Sequence, residues 1–588
     1  MDTQEIIARA QAYIAEETDE FFRSEVEQLL KSGDIKELNE RFYQTLEFGT
    51  GGLRGIIGGG TNRMNTLMVH KATQGLADYC IKALPQKADD GTLKAVIAYD
   101  SRSYSNIFAE QAACIFAANG FTAYLFSALR PTPELSFAVR ELGCTTGIVV
   151  TASHNPPQYN GYKAYWSDGA QVTPPHDTGI IEKVNAVSEV KIISKEEAVK
   201  QGKLILIDSD MDTKYWTMCK EQLFRPELIK QKAKEVRVVY TPLHGTGAMH
   251  VEKVLGDLGL TVITVPEQRE PDGRFPTVEK PNPEEAPALK MALALAKKEK
   301  ADVLMATDPD ADRFGSAVPD SNGEWVLISG NQMGVLFTDY IILSRKELHK
   351  MPANPGMIRS IVTSPMVDAI AKANGVYLAE CLTGFKWIAT VMDEFEKSKE
   401  HTYIFGFEES YGYNVETAIR DKDGVSASAL CAEMTLYWRS QGKSLLQRLN
   451  ELYETYGYYE DRTISKNFPG AEGVQTMKNI MVKLREQGLK SLAGKQVVSI
   501  RDVLQSVRYN PNASDKKETI TLPKSNVLQF FLSDGTVVSA RPSGTEPKIK
   551  FYINAVTPIK TNLADAKKES TLLCDTIEKE ILAVLDEV

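Results

Sequence analysis

The chain has 588 residues, of which 43% are apolar and 25% are charged, the usual composition of a water-soluble globular protein. This length is too great for one hydrophobic core, so we expect about four domains of ~150 residues each. The net charge of −10 argues against binding to nucleic acid or to an anionic membrane through bulk charge. It still allows a small basic pocket for an anionic substrate.

The first residues predict an amphipathic helix that starts with a capping pair, Asp2 and Glu5. This start is acidic and lacks a basic segment followed by an apolar one, so no signal peptide is expected. No apolar run is long enough to span a membrane, and we expect a cytoplasmic protein. The predicted apolar face of the helix consists of Ile6, Ile7, Ala10, Tyr13 and Ile14.

The seven cysteines are scattered singly, without a CxxC pair, and several lie in apolar surroundings. This pattern favours reduced core thiols over a zinc site or a disulfide framework.

A short β-branched run that ends in a polar loop recurs along the chain, and a helical pattern usually follows it. Uninterrupted apolar strands suit sheets that are covered on both faces, which predicts α/β domains with largely parallel sheets. Ligands of such sheets bind beyond the carboxyl ends of the strands, where these polar loops lie. The runs are KAVIAYDSRSYS, GIVVTASHNP, VRVVYTPLHGTG, DVLMATDPDADR, RSIVTSPMVDAI and TYIFGFEESYGY.

The spacing of these runs predicts three tandem α/β units, at 1–207, 208–322 and 323–458. Beyond them, at 459–588, the pattern changes to hairpin-like strands, with SDGT as a turn, and a long helix from Leu563. This last part is predicted to be a smaller α+β domain.

The loop DPDADR places Asp308, Asp310 and Asp312 at alternate positions, and alternate residues of an extended chain face the same way. Converging carboxylates repel one another unless a cation neutralises them, and oxygen ligands suit a hard ion such as Mg²⁺. An EF-hand is excluded, because position six of the loop is Arg313 and position twelve is Pro319. A solvated acidic turn is the alternative, which the preceding apolar strand disfavours.

The loop TASHNPPQYNGYK carries Ser153 after the apolar run GIVV. We disfavour Ser153 and His154 as a nucleophile and base, because neighbours on an extended chain point to opposite faces and no GxSxG elbow is present. The hydrogen-bond donors of the loop and the cation Lys163 instead suit a phosphoryl group on the serine oxygen, bridged by Mg²⁺. A simple Asn-Pro turn is the alternative.

The stretch RPSGTEPKIK brings Arg541, Ser543 and Thr545 around Gly544. Successive backbone N–H groups can form an anion nest, and an arginine fork matches a phosphate. A polar hairpin loop is the alternative.

Three weaker signals accompany these loops. GFEESYGY places Glu408 and Ser410 after an apolar run, where a carboxylate is suited to sugar hydroxyls, although paired acids are usually just solvated. The Gly-dense stretch GTGGLRGIIGGGTNR carries Arg54 and matches neither a Walker loop nor a dinucleotide fingerprint, so a flexible loop competes with function. LTGFKWI adds Lys386, which alone would be assigned to the surface.

Taken in order, these stretches resemble the α-D-phosphohexomutase superfamily over nearly the whole chain. TASHNP, the DxDxDR loop, GxEES and RxSGTEP are each recognisable, and their ordered co-occurrence is highly specific. The length of the chain and its FEES and YGY motifs resemble the branch that contains phosphoglucomutase 2, phosphopentomutase and related bacterial phosphoglucomutases. The resemblance implies four domains around a central cleft, with three related α/β units and a C-terminal α+β cap.

The resemblance also implies roles for individual residues. Ser153 matches the phosphoserine, with His154 beside it, and Arg54 and Lys163 match basic neighbours, Lys163 being a candidate proton shuttle. One Mg²⁺ ion would be held by Asp308, Asp310, Asp312 and a phosphoserine oxygen on Ser153. Substrate-binding residues would be Arg313, Thr383, Gly384, Lys386, Glu408 and Ser410. The loop for the non-reacting phosphate would contain Arg541, Ser543, Gly544 and Thr545.

The implied activity is the interconversion of glucose 1-phosphate and glucose 6-phosphate through a phosphoserine and a glucose 1,6-bisphosphate intermediate. Gly412 and Tyr413 stand where bacterial dual-specificity phosphomannomutases carry a histidine, which weakens the case for mannose. A phosphopentomutase and a sugar 1,6-bisphosphate synthase stay open, as does a monomer or a homodimer. The rivals are a phosphatase with Asp308 as its nucleophile and a non-enzymatic sugar-phosphate-binding protein.

Overall fold

The computed structural model describes residues 2–49, 51–468, 470–513, 517–543 and 548–586. The chain forms two compact units, one made of Met1–Ile328 and Tyr411–Tyr437 and the other of Ser329–Ser410 and Trp438–Val588. The domain boundaries proposed from the sequence stay predictions.

The first unit begins with three helices, each preceded by an aspartate whose carboxylate accepts a backbone N–H. The predicted first helix is confirmed, and Asp2 caps it by accepting from Gln4 N. Glu5 does not complete a capping box but pairs with Arg9 at 3.0 Å. Ile6, Ala10 and Tyr13 are buried, whereas Ile7 and Ile14 are half-buried. The helices are α1 (Thr3–Glu16), α2 (Glu20–Ser32) and α3 (Ile35–Phe42).

A six-stranded sheet with helices follows. Its elements are β1 (Gly52–Ile56), α4 (Thr66–Ala83), α5 (Pro85–Asp89), β2 (Lys94–Tyr99), α6 (Ser105–Ala118), β3 (Thr122–Phe126), α7 (Thr132–Glu141), β4 (Thr146–Val150), β5 (Tyr159–Trp166), α8 (His176–Asn185), α9 (Lys195–Lys200) and β6 (Leu204–Ile207). The strand order is β1-β5-β4-β2-β3-β6. Strands β4, β2, β3 and β6 are parallel, and β5 and β1 are added antiparallel.

A second sheet of the same unit has the order β11-β10-β9-β7-β8, with β9, β7 and β8 parallel and β10 and β11 antiparallel. Its elements are α10 (Ser209–Glu221), α11 (Pro226–Lys232), β7 (Arg237–Thr241), α12 (Gly247–Asp257), β8 (Thr261–Thr264), α13 (Pro266–Arg269), α14 (Lys290–Glu299), β9 (Val303–Thr307), β10 (Phe314–Pro319) and β11 (Trp325–Ile328). Strands β4 and β9 are buried throughout, as expected for sheets covered on both faces.

The second unit starts with a parallel sheet in which β12 lies between β13 and β14. Its elements are α15 (Gly330–Glu347), β12 (Pro355–Ser360), α16 (Met366–Asn374), β13 (Tyr377–Cys381), α17 (Phe385–Ser398) and β14 (Thr402–Glu408). The chain then returns to the first unit with β15 (Gly412–Asn414) and most of α18 (Gly424–Ser440).

The C-terminal part is an antiparallel sheet of order β16-β23-β22-β21-β18-β19-β20, with β17 paired to β18. The predicted SDGT turn joins β21 to β22, and the predicted C-terminal helix is present. The elements are α19 (Leu445–Tyr456), β16 (Tyr458–Asn467), α20 (Gly470–Gln487), β17 (Ser491–Leu492), β18 (Lys495–Asp502), β19 (Val507–Tyr509), β20 (Lys517–Thr519), β21 (Leu528–Leu532), β22 (Val537–Pro542), β23 (Lys548–Thr557) and α21 (Leu563–Asp586).

The predicted α/β class with a C-terminal α+β domain is confirmed, but one local expectation is wrong. A strand, not a helix, follows the serine loop after β4, the aspartate loop after β9 and the GFEES run of β14. In β5 the alternate residues Tyr162 and Ala164 belong to the core, so the chain continues with the period of a strand.

The seven cysteines are all free and buried, as predicted. Among the described residues, no helix is long and apolar enough to cross a membrane.

Gly334 in α15 faces the ring of Phe407 on β14 so closely that an added Cβ would lie 1.9 Å from Cε2. Gly334→Ala should therefore force the core apart, at a cost of about 1–3 kcal/mol, and lower the melting temperature by several degrees. Gly256→Ala, at an exposed site in α12 with no atom within 4 Å of the added Cβ, is the control and should not lower it. Equal melting temperatures for the wild type and Gly334→Ala would contradict this packing.

Candidate active site

The serine loop and the aspartate loop meet in the first unit. The Ser153 hydroxyl donates a hydrogen bond of 2.7 Å to Oδ2 of Asp308, and both residues are buried. Ser153 follows β4, and Asp308 follows β9, the central strand of the other sheet. Two residues 155 positions apart in sequence thus share one buried spot.

Ser153 has a left-handed backbone, with φ of +50°. Because the chain is not extended here, the expected divergence of the Ser153 and His154 side chains does not occur, and Nδ1 of His154 lies 3.0 Å from the serine oxygen. Burial, with the charges of Arg313 and Arg54, holds the pKa of His154 well below its usual value. His154 is therefore neutral at physiological pH and can exchange a hydrogen bond with the serine.

A buried aspartate and arginine, which the sequence analysis did not single out, hold the serine loop. Thr151 bridges Asp100 to the loop, because its hydroxyl donates to Asp100 at 2.6 Å and accepts from Ser153 N at 2.8 Å. Arg102 donates to the carbonyl oxygens of Ser153, at 2.6 Å, and of Asn155. Burial lowers the pKa of Arg102 to about 10, which still leaves it charged at neutral pH.

The carboxylates of Asp308, Asp310 and Asp312 converge, and one oxygen of each lies within 4.8 Å of the others. They do so in a turn and not on the extended chain that we expected. Ala311 N donates to Asp308 O at 2.9 Å, and Ala311 has φ of +50°. The tight turn, rather than strand alternation, brings the three side chains together.

Two lysines compensate the charge of this aspartate cluster. Nζ of Lys163 lies 2.7 Å from Asp310 and 3.2 Å from Asp312, and Nζ of Lys422 lies 3.1 Å from Asp312. Burial alone would raise the pKa of Asp312, but these lysines and Arg313 hold it far below its usual value. Burial and the neighbouring carboxylates raise the pKa of Asp308 well above its usual value. The carboxyl group whose pKa is raised is therefore the one that contacts Ser153.

The cluster fits a hard divalent cation. Oδ1 of Asp310 and Oδ1 of Asp312 are buried and have no hydrogen-bond partner among the residues that the structure describes. A buried carboxylate oxygen without a partner is costly, and an oxygen-preferring cation would satisfy it. The three aspartates can therefore hold a metal ion.

Further contacts link this centre to other elements. The hydroxyl of Thr132, at the start of α7, donates to Asp310 at 2.7 Å. Arg54 on β1 donates to Oδ1 of Asn155 in the serine loop at 3.2 Å. Main-chain N–H of Arg313 donates to Asp308 at 3.0 Å, and its side chain pairs with Glu284.

The second unit contains the predicted sugar-binding residues. Gly384 N donates to Oε1 of Glu408 at 2.5 Å, which joins the LTGFKWI loop to the end of β14. Thr383, Lys386 and Ser410 are half-buried. The neighbouring carboxylate of Glu409 accepts from Ser360 at 3.0 Å. Burial raises the pKa of Glu409, and Lys550 and Arg541 act in the opposite direction.

The predicted phosphate loop lies partly within the described structure. Arg541, near the end of β22, lies opposite Lys550 in the antiparallel register of β22 and β23. Ser543 N donates to Lys548 O at 2.8 Å. Gly544 and Thr545 lie outside the described residues. A cationic pair therefore stands at the base of the predicted loop, close enough to Glu409 to affect its pKa.

The structure thus combines tandem α/β sheets with a serine hydroxyl that contacts a buried carboxylate cluster. These features and the family models together define the class of protein. The chain belongs to the phosphoglucomutase/phosphomannomutase family, because models of the family's alpha/beta/alpha domains I, II and III match residues 45–191, 213–323 and 329–456. It is an enzyme, a mutase of the isomerase-type phosphotransferases.

The chain is similar to mouse phosphopentomutase, with 36% identity over 574 residues that cover 94% of this chain and 91% of the mouse protein. It is also 37% identical over 538 residues to a phosphoglucomutase of Staphylococcus aureus (strain USA300), covering 90% and 92% of the two chains. Its fold is similar to that of the Paramecium exocytosis-sensitive phosphoprotein parafusin in the open form, with a TM-score of 0.67, 18% identity and coverage of 92% and 95%.

Proposed function

We propose that this enzyme interconverts glucose 1-phosphate and glucose 6-phosphate through a phosphoserine at Ser153 and a glucose 1,6-bisphosphate intermediate. The observation that carries the proposal is the 2.7 Å contact between the Ser153 hydroxyl and Asp308 in a buried carboxylate cluster. The similarity to a phosphoglucomutase of S. aureus supports glucose as the sugar.

Asp308, Asp310, Asp312 and a phosphoserine oxygen on Ser153 would hold one Mg²⁺ ion. When bound, the ion would neutralise charge on the phosphoryl group during transfer. The side chains of the protein hold and orient the site. Arg102 fixes the serine loop, Arg54 adds positive charge beside that loop, and Lys163 adds positive charge beside the aspartate cluster. Such fixed charges stabilise the transferring group without reorganisation.

The transfer breaks the bond between phosphorus and Oγ of Ser153 and forms one between phosphorus and a sugar hydroxyl oxygen. The hydroxyl proton must leave the sugar, and a proton must reach the serine oxygen. Lys163 is our candidate for moving that proton, and His154 is placed to share a hydrogen bond with the serine. The bisphosphate then turns around, and its other phosphoryl group returns to Ser153.

The proposed substrate-binding residues are those that the sequence motifs indicated. Glu408 and Ser410 would bind the sugar hydroxyls, beside the loop residues Thr383, Gly384 and Lys386, and Arg313 would assist from the aspartate loop. The non-reacting phosphate would be bound by Arg541, Ser543, Gly544 and Thr545.

A phosphopentomutase that converts ribose or deoxyribose 1-phosphate to the 5-phosphate is the second candidate, favoured by the similarity to the mouse phosphopentomutase. A sugar 1,6-bisphosphate synthase would differ mainly in its phosphoryl donor.

Steady-state kinetics with the 1-phosphates of glucose, mannose, N-acetylglucosamine and ribose, with Mg²⁺ and the matching bisphosphate, test the proposal. We expect the highest kcat/KM for glucose 1-phosphate and at least about tenfold less for mannose 1-phosphate, because specificity is a ratio of kcat/KM values. A higher value for ribose 1-phosphate would establish the phosphopentomutase instead. No turnover of any of these substrates would overturn both.

A further inference from the structure

The three N-terminal helices α1–α3 lie ahead of residue 45, where the match to the family model begins. They form their own apolar core, and this core includes Leu67 at the start of α4. We call α1–α3 the N-terminal module. It packs on the loop of residues 57–65, which connects β1 to α4.

The module binds both backbone polar groups of one glycine in this loop. Oε2 of Glu25 accepts from Gly59 N at 2.8 Å, and Nη1 of Arg41 donates to Gly59 O at 3.0 Å. Glu25 and Arg41 also pair with each other at 2.9 Å. We call these two side chains the clasp, and both are partly shielded from solvent.

The loop approaches the module too closely for any side chain. A Cβ added at Gly59 would lie 2.2 Å from Phe22 O, and one added at Gly60 would lie 2.8 Å from Cβ of Arg41. Backbone atoms cannot move aside easily, so the loop can pack on the module in one position only. A flexible loop was one of two interpretations of this glycine-rich stretch, and Gly59 and Gly60 instead pack tightly against the module.

This loop is the continuation of β1, which carries Arg54. Met64 N donates to Ile56 O at 2.8 Å, and Ile57 N donates to Gln158 O, in the serine loop, also at 2.8 Å. Arg54 itself donates to Asn155 of the serine loop. The contacts of the loop with Glu25 and Arg41 therefore fix the position of β1. The position of β1 in turn sets where Arg54 lies relative to the serine loop.

A second contact reaches the other loop behind the serine. The ring of Phe22 lies 4.8 Å from that of Tyr104, which has φ of +66° and immediately precedes α6. Tyr104 is two residues from Arg102, whose guanidinium holds the carbonyl oxygens of the serine loop. The module thus contacts two of the segments that set the serine loop.

We propose that the N-terminal module is a positioning element of the active site, in which Glu25 and Arg41 act through Arg54. The inference rests on the proposed function, because it assigns Arg54 to the phosphoryl-transfer site. Glu25 and Arg41 touch no reacting atom, and their effect is geometric.

The first test compares Glu25→Ala with Glu25→Gln and with the control Glu5→Gln, which removes an exposed ion pair of the same module. We expect kcat of the mutase reaction to fall about tenfold in Glu25→Ala, since a small misplacement of a charged group weakens transfer. Glu25→Gln keeps an acceptor for Gly59 and should retain most of the activity. The Mg²⁺ concentration for half-maximal activity should not change, because the aspartate cluster is untouched. An unchanged kcat, or an equal loss in Glu5→Gln, would overturn the proposal.

A double-mutant cycle tests whether the clasp acts through Arg54. If it does, Glu25→Ala combined with Arg54→Ala should lose no more activity than Arg54→Ala alone. A loss equal to the product of the two single losses would show that the module acts elsewhere and would overturn the proposal.

Hydrogen exchange separates this inference from the proposed reaction. In Glu25→Ala the amides of residues 52–63 should exchange faster than in the wild type, and those of β9 should not. Unchanged exchange at 52–63 would overturn the clasp even in an active mutase. Faster exchange in a chain without mutase activity would support the clasp while refuting the proposed function.

Discussion

Replacement of Ser153 by alanine is expected to lower kcat of the mutase reaction by more than about 10³-fold, because it removes the atom that carries the phosphoryl group in the proposed reaction. The Ser153 side chain projects from a loop fixed by Arg102 and Thr151, and its hydroxyl contacts Asp308 at 2.7 Å. Alanine fits this space, so the fold should persist. The loss therefore reports chemistry and not unfolding.

The measurement is transfer of labelled phosphate from glucose 1,6-bisphosphate to the protein, followed by hydroxylamine treatment. The wild type should keep its label, because a phosphoserine resists hydroxylamine whereas an acyl phosphate does not. Thr132→Val is the matched control, since Thr132 is another buried hydroxyl that contacts the cluster, through Asp310. This variant should still take up label. Label in Ser153→Ala, or label lost to hydroxylamine, would favour Asp308 as the nucleophile.

The sequence indicated the main parts of this centre because each is local. The runs before Ser153 and Asp308 have the composition of buried strands, and buried strands of α/β sheets end at ligand sites. The α/β class and the acidic cluster followed from such local patterns. The order of the motifs, more than any single one, indicated the family.

The structure adds what depends on tertiary contacts. Lys422 reaches Asp312 from a segment 110 residues further along the chain, and a lysine in the stretch RDKDG has no local mark of that role. Arg102 follows a predicted strand end, which was the available signal, but its four carbonyl partners lie more than 50 positions away. Left-handed conformations at Ser153 and Ala311 also escape prediction, since neither residue type favours them.

Charge balance explains why the serine site and the aspartate cluster belong together. Among the described residues, Lys163, Lys422 and Arg313 lie within 4.0 Å of the three buried carboxylates. Arg313 also pairs with Glu284, and Lys422 also pairs with Asp421. A phosphoryl group on Ser153 would add roughly two further negative charges beside these carboxylates. A divalent cation would restore the balance, so phosphorylation and metal binding should favour each other.

The second large effect is expected for Asp310→Asn, which removes one charge of the cluster and keeps its shape. We expect kcat to fall by about 10²-fold or more and the Mg²⁺ concentration for half-maximal activity to rise, because neutral amide oxygen is a weaker ligand for a hard cation. Asparagine can still accept hydrogen bonds from Thr132 and Lys163, whose present distances to Asp310 are both 2.7 Å. The packing around the loop should therefore survive.

Activity against Mg²⁺ concentration and calorimetric Mg²⁺ binding measure this effect. The control is Asp320→Asn, at the turn after β10, where Oδ1 accepts backbone N–H groups of Asn322 and Glu324 and asparagine can do the same. Both variants lose one carboxylate, so a general change in net charge would affect them equally. Only the loss at Asp310 should move the Mg²⁺ dependence. If Asp310→Asn kept the wild-type Mg²⁺ curve and full activity, the cluster would be a structural charge network, and the metal would have to act elsewhere.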